Sequence, residues 1–179
     1  MVKLNSDQEQ FWTGTFGDDY SLRKDDEQII VSDTNLFSQA LKSAPEINSI
    51  VELGCNIGNN LRALNRINPK FKLRGYEINK TAVDKVKKHN VAEIIHESIT
   101  NPLDHSQTFD LSFTKGVLIH INPDLLHVAY ENIYNLSHKY ILLVEYYNPN
   151  PVSVTYRNNS DVLFKRDFAG EMIEKYHLK

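Results

Sequence analysis

The residues of this chain best suited to chemistry begin with Val51-Glu52-Leu53-Gly54-Cys55-Asn56-Ile57-Gly58, a glycine-spaced turn that follows an apolar run. At a strand-to-helix junction such a turn lets a ligand approach the backbone and the helix N-terminus. It is not a Walker A loop, because no Lys-Ser or Lys-Thr follows Gly58. Asn56 and Asn59 hold two of the three glycine positions of the G-x-G-x-x-G dinucleotide fingerprint. Glu52 places a carboxylate at the strand end, where it would repel a pyrophosphate and attract a cation. A second acid, Glu77, closes Gly75-Tyr76-Glu77-Ile78. In doubly wound sheets an acid there accepts hydrogen bonds from a ribose diol. Ser98 and Ile99 follow the next strand, where side chains flank an adenine ring. The ligand that combines a cationic group, a ribose and an adenine without phosphate is S-adenosylmethionine.

A second group of side chains falls after the later strands. Lys115 and Gly116 end the fourth strand, His120 lies just beyond them, and Glu145, Tyr146 and Tyr147 follow the fifth. Transfer of a methyl group from a sulfonium is an in-line displacement whose rate comes largely from alignment. An oxygen or amine acceptor also needs a destination for its proton. His120 has the pKa for that task, although its apolar run, Val117-Leu118-Ile119-His120-Ile121, equally suits a packed, hydrogen-bonded histidine. Tyr146 and Tyr147 are the other catalytic candidates. Glu145, Arg157, Lys165 and Arg166 are candidates for binding an acceptor, the cations as a phosphate clamp or simply as solvated charges. Trp12 and Phe16, beside Gly14 and Gly17, read as a lid over a cofactor or as aromatics packed on the core. Cys55 reads as a small packed residue, and the seven histidines include no metal-binding spacing.

These residues need a scaffold, and the hydrophobic pattern supplies one. Helical periodicity begins near Asp33 and ends before Pro45. Strands at 50–53, 71–78, 91–96, 108–114 and 140–146 then alternate with helices at 61–67, 81–89, 123–137 and 167–176. That alternation predicts βαβ units, a parallel sheet and helices on both faces. The chain of 179 residues divides into a lid or cap segment, 1–32, and a Rossmann-like domain, 33–179. A net charge of -3 argues against nucleic acid held by bulk positive charge, and no run approaches the ~18 apolar residues of a membrane span. The polar start argues against secretion, which makes the expected location cytoplasmic.

The order Val-Glu-Leu-Gly-Cys-Asn-Ile-Gly, Gly-Tyr-Glu-Ile, then residues 109–121, resembles class I S-adenosylmethionine-dependent methyltransferases. More narrowly, Phe11-Trp12-x-Gly14-x-Phe16-Gly17, residues 115–122, Glu145-Tyr146-Tyr147-Asn148-Pro149 and residues 163–168 resemble the methylases associated with pseudaminic acid biosynthesis. The resemblance implies that Glu52, Gly54, Asn56 and Gly58 surround the methionine part, Glu77 and Ile78 the ribose, and Ser98 and Ile99 the adenine; Trp12, Lys115 and Gly116 are further cofactor-binding candidates. Ser98 departs from the broader class, which often carries aspartate there. The resemblance implies a small acceptor, a sugar or nucleotide sugar. The alternatives are a protein that binds S-adenosylmethionine or its demethylated product without transferring methyl, and a nucleotide-dependent oxidoreductase, which the broken fingerprint disfavours.

Class I methyltransferases usually continue beyond the fifth βα unit with two more strands. Only His177-Leu178-Lys179 follow the last helix, which predicts a doubly wound sheet lacking those strands. Strand five then becomes an apolar edge, covered either by a second copy in a homodimer or by segment 148–165 folding back.

Overall fold

The computed structural model of the protein describes residues 2–23, 26–157, 159 and 161–179. Residues 24 and 25, inside the expected lid segment, lie outside the described residues. Five strands, β1 (Ser49–Leu53), β2 (Lys72–Glu77), β3 (Glu93–His96), β4 (Phe109–Lys115) and β5 (Ser137–Val144), form one parallel sheet in the order β3-β2-β1-β4-β5. The order reverses beside β1, so β1 and β4 splay their connections to opposite faces and leave a crevice above their carboxyl ends.

Helices α1 (Asp7–Thr13) and α2 (Thr15–Arg23) precede the sheet, followed by α3 (Glu27–Lys42). The helices α4 (Asn59–Ile67), α5 (Lys80–His89), α6 (Leu126–Asn135) and α7 (Phe168–Tyr176) come after β1, β2, β4 and β5. Ile30 and Phe37 of α3, Leu61 and Leu64 of α4 and Val83 of α5 pack with Ile50 and Phe113 of the sheet. Ile133 of α6 and Phe168 and Met172 of α7 pack with Val51, Leu53 and Leu118 on the other side. The alternation of Ile50 and Val51 between these two clusters follows from the two-residue period of a strand buried on both faces.

Three expectations change. The helix expected from Asp33 starts at Glu27, where the Asp26 side chain accepts the Gln28 N–H at 2.9 Å, so the boundary at 32/33 falls inside α3. Among the described residues, the stretch before α3 holds two helices, α1 and α2. Ser6 caps α1 in a capping box with Glu9, and the segment breaks at Gly14 into pieces too short to display a period. Among its described residues, segment 148–165 adds no strand to β5. It forms a small antiparallel pair, β6 (Val152–Ser153) with β7 (Phe164–Lys165), and its loop reaches the β4–α6 connection, where the Val162 carbonyl accepts from His120. Among the described residues β5 pairs with β4 alone.

Candidate active site

A cleft opens at the carboxyl ends of β1, β2, β3 and β4, lined by Trp12, Gly54, Asn56, Glu77, Ile78, Ser98, Ile99, Lys115, Gly116 and His120, and also by Gln8, Glu9, Tyr20, Tyr76, Glu97, Val117 and Ile121. The turn after β1 brings its backbone to the cleft. Gly54, at φ +85°, lies so close to Val117 that a Cβ there would meet Cγ2 at 2.6 Å. Gly116, at φ +65°, has open space where its Cβ would stand. Gly58 does not line the cleft; at φ 82° it caps α4, where an added Cβ would meet Val86 Cγ2 at 2.3 Å.

Glu77 ends β2 with its carboxylate buried in the cleft wall. One oxygen accepts the Asn56 N–H and the other the Asn79 N–H, each at 2.7 Å. Burial pushes its carboxyl above the usual range, against those hydrogen bonds. With the Ile78 N–H also directed at it, the carboxylate still keeps lone-pair capacity for a ligand hydroxyl.

Glu52 corrects the expectation drawn from charge. It is fully buried and stands behind the cleft wall, its Oε1 accepting from Asn60 Nδ2 at 2.5 Å and its Oε2 without a partner among the described residues. Burial pushes its carboxyl up to about 8, despite the Asn60 hydrogen bond and the Lys115 ammonium. At neutral pH it is mainly protonated, so it does not present the full charge expected of it. Lys115 lines the cleft, and its ammonium bonds Asn60 Oδ1 at 3.3 Å and Asp33 at 2.7 Å. Asp33 was expected only as a helix start; the structure makes it the buried counter-ion of a cleft cation.

His120 sits in a single 3-10 turn, Leu118–His120, after β4. A carbonyl can only accept, so the 2.7 Å contact to Val162 O makes Nδ1 the protonated nitrogen and leaves a lone pair on Nε2. Burial depresses its pKa, and the Val162 hydrogen bond offsets this only in part. Its ring lies 4.6 Å from Trp12 and 5.4 Å from Tyr156, centroid to centroid. Phe16 and Tyr20 pack edge-on to Trp12 at 5.4 and 5.3 Å. Glu145 holds the turn that carries His120 by accepting the Val117 and Leu118 N–H groups at 3.0 and 3.2 Å.

The other expected acceptor and catalytic residues lie outside the cleft. Tyr146 and Tyr147 are 60% and 66% exposed. Lys165 stands over the Tyr146 ring, Arg166 pairs with Glu171 at 2.6 Å, and Arg157, exposed at φ 49°, lies over Tyr156. Among the missed lining residues, Glu9 had a signal. Ser6-Asp7-Gln8-Glu9 reads as a capping box and would have placed a helix start there. Tyr20, Tyr76, Glu97, Val117 and Ile121 carry no comparable mark.

No curated protein matches the chain. Among solved structures, the plantazolicin methyltransferase BpumL in complex with a desmethyl analogue and SAH is 19% identical with a TM-score of 0.59, over 78% of this chain and 57% of that one. The sugar N-methyltransferase KedS8 from a Streptoalloteichus species is 12% identical with a TM-score of 0.62, over 86% and 64%. The methyltransferase domain of bacterial CtHen1 is 15% identical with a TM-score of 0.62, over 84% and 87%. The chain thus spans under two thirds of the length of the first two, and the likeness to all three is one of fold. No helix among the described residues is long and apolar enough to cross a membrane. Residues 50–139, half of the sequence and the part that builds β1 to β4 and most of the cleft, match the family described as methyltransferase domain, and the chain belongs to that family.

Proposed function

We propose that the protein is an S-adenosylmethionine-dependent methyltransferase acting on a small acceptor, a sugar or nucleotide sugar of surface-glycan biosynthesis of the pseudaminic acid kind. The observation that carries the transferase reading is His120, lining the same cleft as Glu77 and the glycine turn with its Nε2 lone pair unspent. The cleft fits the cofactor: a backbone wall with no room for side chains at Gly54, a buried carboxylate with free lone pairs at Glu77, and apolar Ile78, Ile99 and Val117 between them. Glu77 would hold the ribose, Ser98 and Ile99 the adenine, and Lys115 with the Gly54–Asn56 turn the amino-acid end. When bound, the sulfonium supplies an activated methyl group. The chain's own part is to align the acceptor and receive its proton, and His120 Nε2 is the base.

The α1–α2 segment is the lid, with Trp12, Phe16 and Tyr20 excluding water from above. Support for a sugar acceptor is the resemblance in residues 11–17, 145–149 and 163–168, together with the fold likeness to a sugar N-methyltransferase. Titration calorimetry with S-adenosylhomocysteine and with NAD tests the cofactor. Binding of NAD alone would replace this reading with the oxidoreductase. A panel of nucleotide sugars, scored for methylated product, tests the acceptor; binding without product from any member would leave a cofactor-binding protein.

A further inference from the structure

The side chains expected to hold an acceptor lie outside the cleft, yet some of them meet at a second hollow. Its lining includes three apolar side chains, Pro123, Val152 and Phe164, and three polar ones, Ser153, Lys165 and Arg166. Both of its walls lead back to His120. Pro123 follows His120 by three residues, and Phe164 follows by two the Val162 whose carbonyl accepts from His120 Nδ1. Two or three residues of chain span at most about 7–11 Å, which a single sugar ring with its substituents can bridge.

The polar part carries positive charge that the protein leaves unspent. Lys165 Nζ stands 5.5 Å from the centre of the Tyr146 ring, which is largely exposed. Among the described residues no carboxylate pairs with that ammonium, and no acceptor takes its three N–H donors. Arg166 gives its Nε–H to Glu171 at 2.6 Å, and its two Nη groups bond nothing further among the described residues. The neighbouring carboxylates have their own donors: Glu171 takes Arg166 and the Tyr130 hydroxyl, Asp167 the Gly170 N–H, and Asp161 the Ser153 hydroxyl. A bare anion would use the two cations alone, and an uncharged sugar would use neither. A phosphate ester that carries a flat nucleobase uses the cations, the ring and the apolar lining together.

We infer that this hollow is the subsite for the nucleotide half of the acceptor, with phosphate on Lys165 and Arg166 and the nucleobase against Tyr146 and Phe164. The sugar half then extends toward His120. The inference rests on the transferase reading above and narrows its acceptor to the nucleotide-linked form. It also gives the β6–β7 hairpin a task, since the segment that receives the phosphate carries the carbonyl that orients His120.

Calorimetry with uridine diphosphate and with cytidine monophosphate, on protein whose cleft is filled with S-adenosylhomocysteine, tests this. Wild type should bind at least one of them about tenfold or more tighter than inorganic phosphate, the surplus coming from the nucleobase. Lys165→Ala should weaken that nucleotide at least about tenfold, one charge-assisted hydrogen bond's worth, and Lys165→Glu should abolish its binding. Lys165→Arg should restore most of it. Unchanged thermal unfolding and S-adenosylhomocysteine affinity show that each variant is folded. With a nucleotide sugar that is methylated, Lys165→Ala should raise KM by the same factor. Wild type that binds neither nucleotide, or binds both no better than phosphate, overturns the inference. So does a Lys165→Glu variant that still binds, an unchanged KM, or nucleotide binding that requires an empty cleft. Should S-adenosylhomocysteine itself fail to bind, the transferase reading falls, and the nucleotide titration of the Lys165 variants still decides on the hollow.

Discussion

At the N-terminal edge of the sheet, Asp110 is met by donors on every side: Asn48 N–H at 2.8 Å, Ser49 N–H at 3.0 Å, Ser49 Oγ at 3.1 Å, His138 Nε2 at 3.1 Å and Lys139 Nζ at 3.2 Å. Burial alone would raise its carboxyl, but these bonds outweigh it and hold it well below the usual range. At the C-terminal edge, Glu52 and Glu77 are buried and Glu145 half-buried, each with fewer donors than it can accept, and desolvation wins in each. The same chemical group is used for two purposes within one sheet. A fully paired carboxylate locks strands together. Where an incompletely paired one lines the cleft, as Glu77 does, a ligand's donors are still needed, and the protein carries the cost of desolvation until they arrive.

That contrast can be broken at several points. The largest effect is expected at the catalytic end. His120→Gln should lower kcat by roughly 10²–10⁴ with little change in S-adenosylhomocysteine affinity. Because burial depresses the His120 pKa, wild-type turnover should rise with pH below 6.5, as the imidazole loses its proton, and be level at neutrality. At the opposite edge, Asp110→Ala leaves the Asn48 and Ser49 backbone N–H groups without their partner. It should cost about 2–4 kcal/mol of unfolding free energy in denaturant titrations, with ligand affinity unchanged. A parallel loss of affinity would show that the two edges are not independent.

Glu77→Gln keeps the shape but replaces one acceptor oxygen by a donor, and should weaken S-adenosylhomocysteine by roughly 1.5–3 kcal/mol in calorimetry. Taken per pH unit, the smallest effect is the pH dependence of stability. The Glu52 carboxyl is near 8 when folded and ordinarily near 4.5, so the folded state holds its proton more tightly than the unfolded chain does. Its contribution is complete below about pH 4.5 and falls away as pH rises toward 8, at most about 1.4 kcal/mol per pH unit. Glu52→Gln should flatten that window. Asp110 has the opposite sign, since its stabilisation is lost on acidification, so Asp110→Ala should flatten only the acid limb.

The parallel sheet could be read from the sequence because its strands are short apolar runs and its helices carry a clean period, as in Leu61, Leu64 and Val83, Val86. The cleft could be read in outline because Gly54, Glu77, Ser98 and Gly116 sit at strand ends whose position follows from that topology. What could not be read is which neighbour answers a side chain. Glu52 and Glu77 both lie near the carboxyl ends of adjacent strands, yet one meets α4 and the other the cleft. Tyr146 and Tyr147 follow β5 as Lys115 and Gly116 follow β4, yet β5 lies one strand farther from the reversal and its end opens to solvent. Gln8, Glu9 and Asp33 reach the site from helices outside the sheet, a placement that no local spacing encodes.

The contact between Trp12 and His120 has an optical consequence. Trp12 is the only tryptophan of the chain, so all indole emission comes from one ring at the mouth of the cleft, within 4.6 Å of an imidazole. Protonated imidazole quenches indole, and displacement of the helix pair would expose the ring to water and shift its spectrum to the red. Without any label, steady-state fluorescence then reports two separate events: intensity follows the charge on His120, and wavelength follows the position of α1.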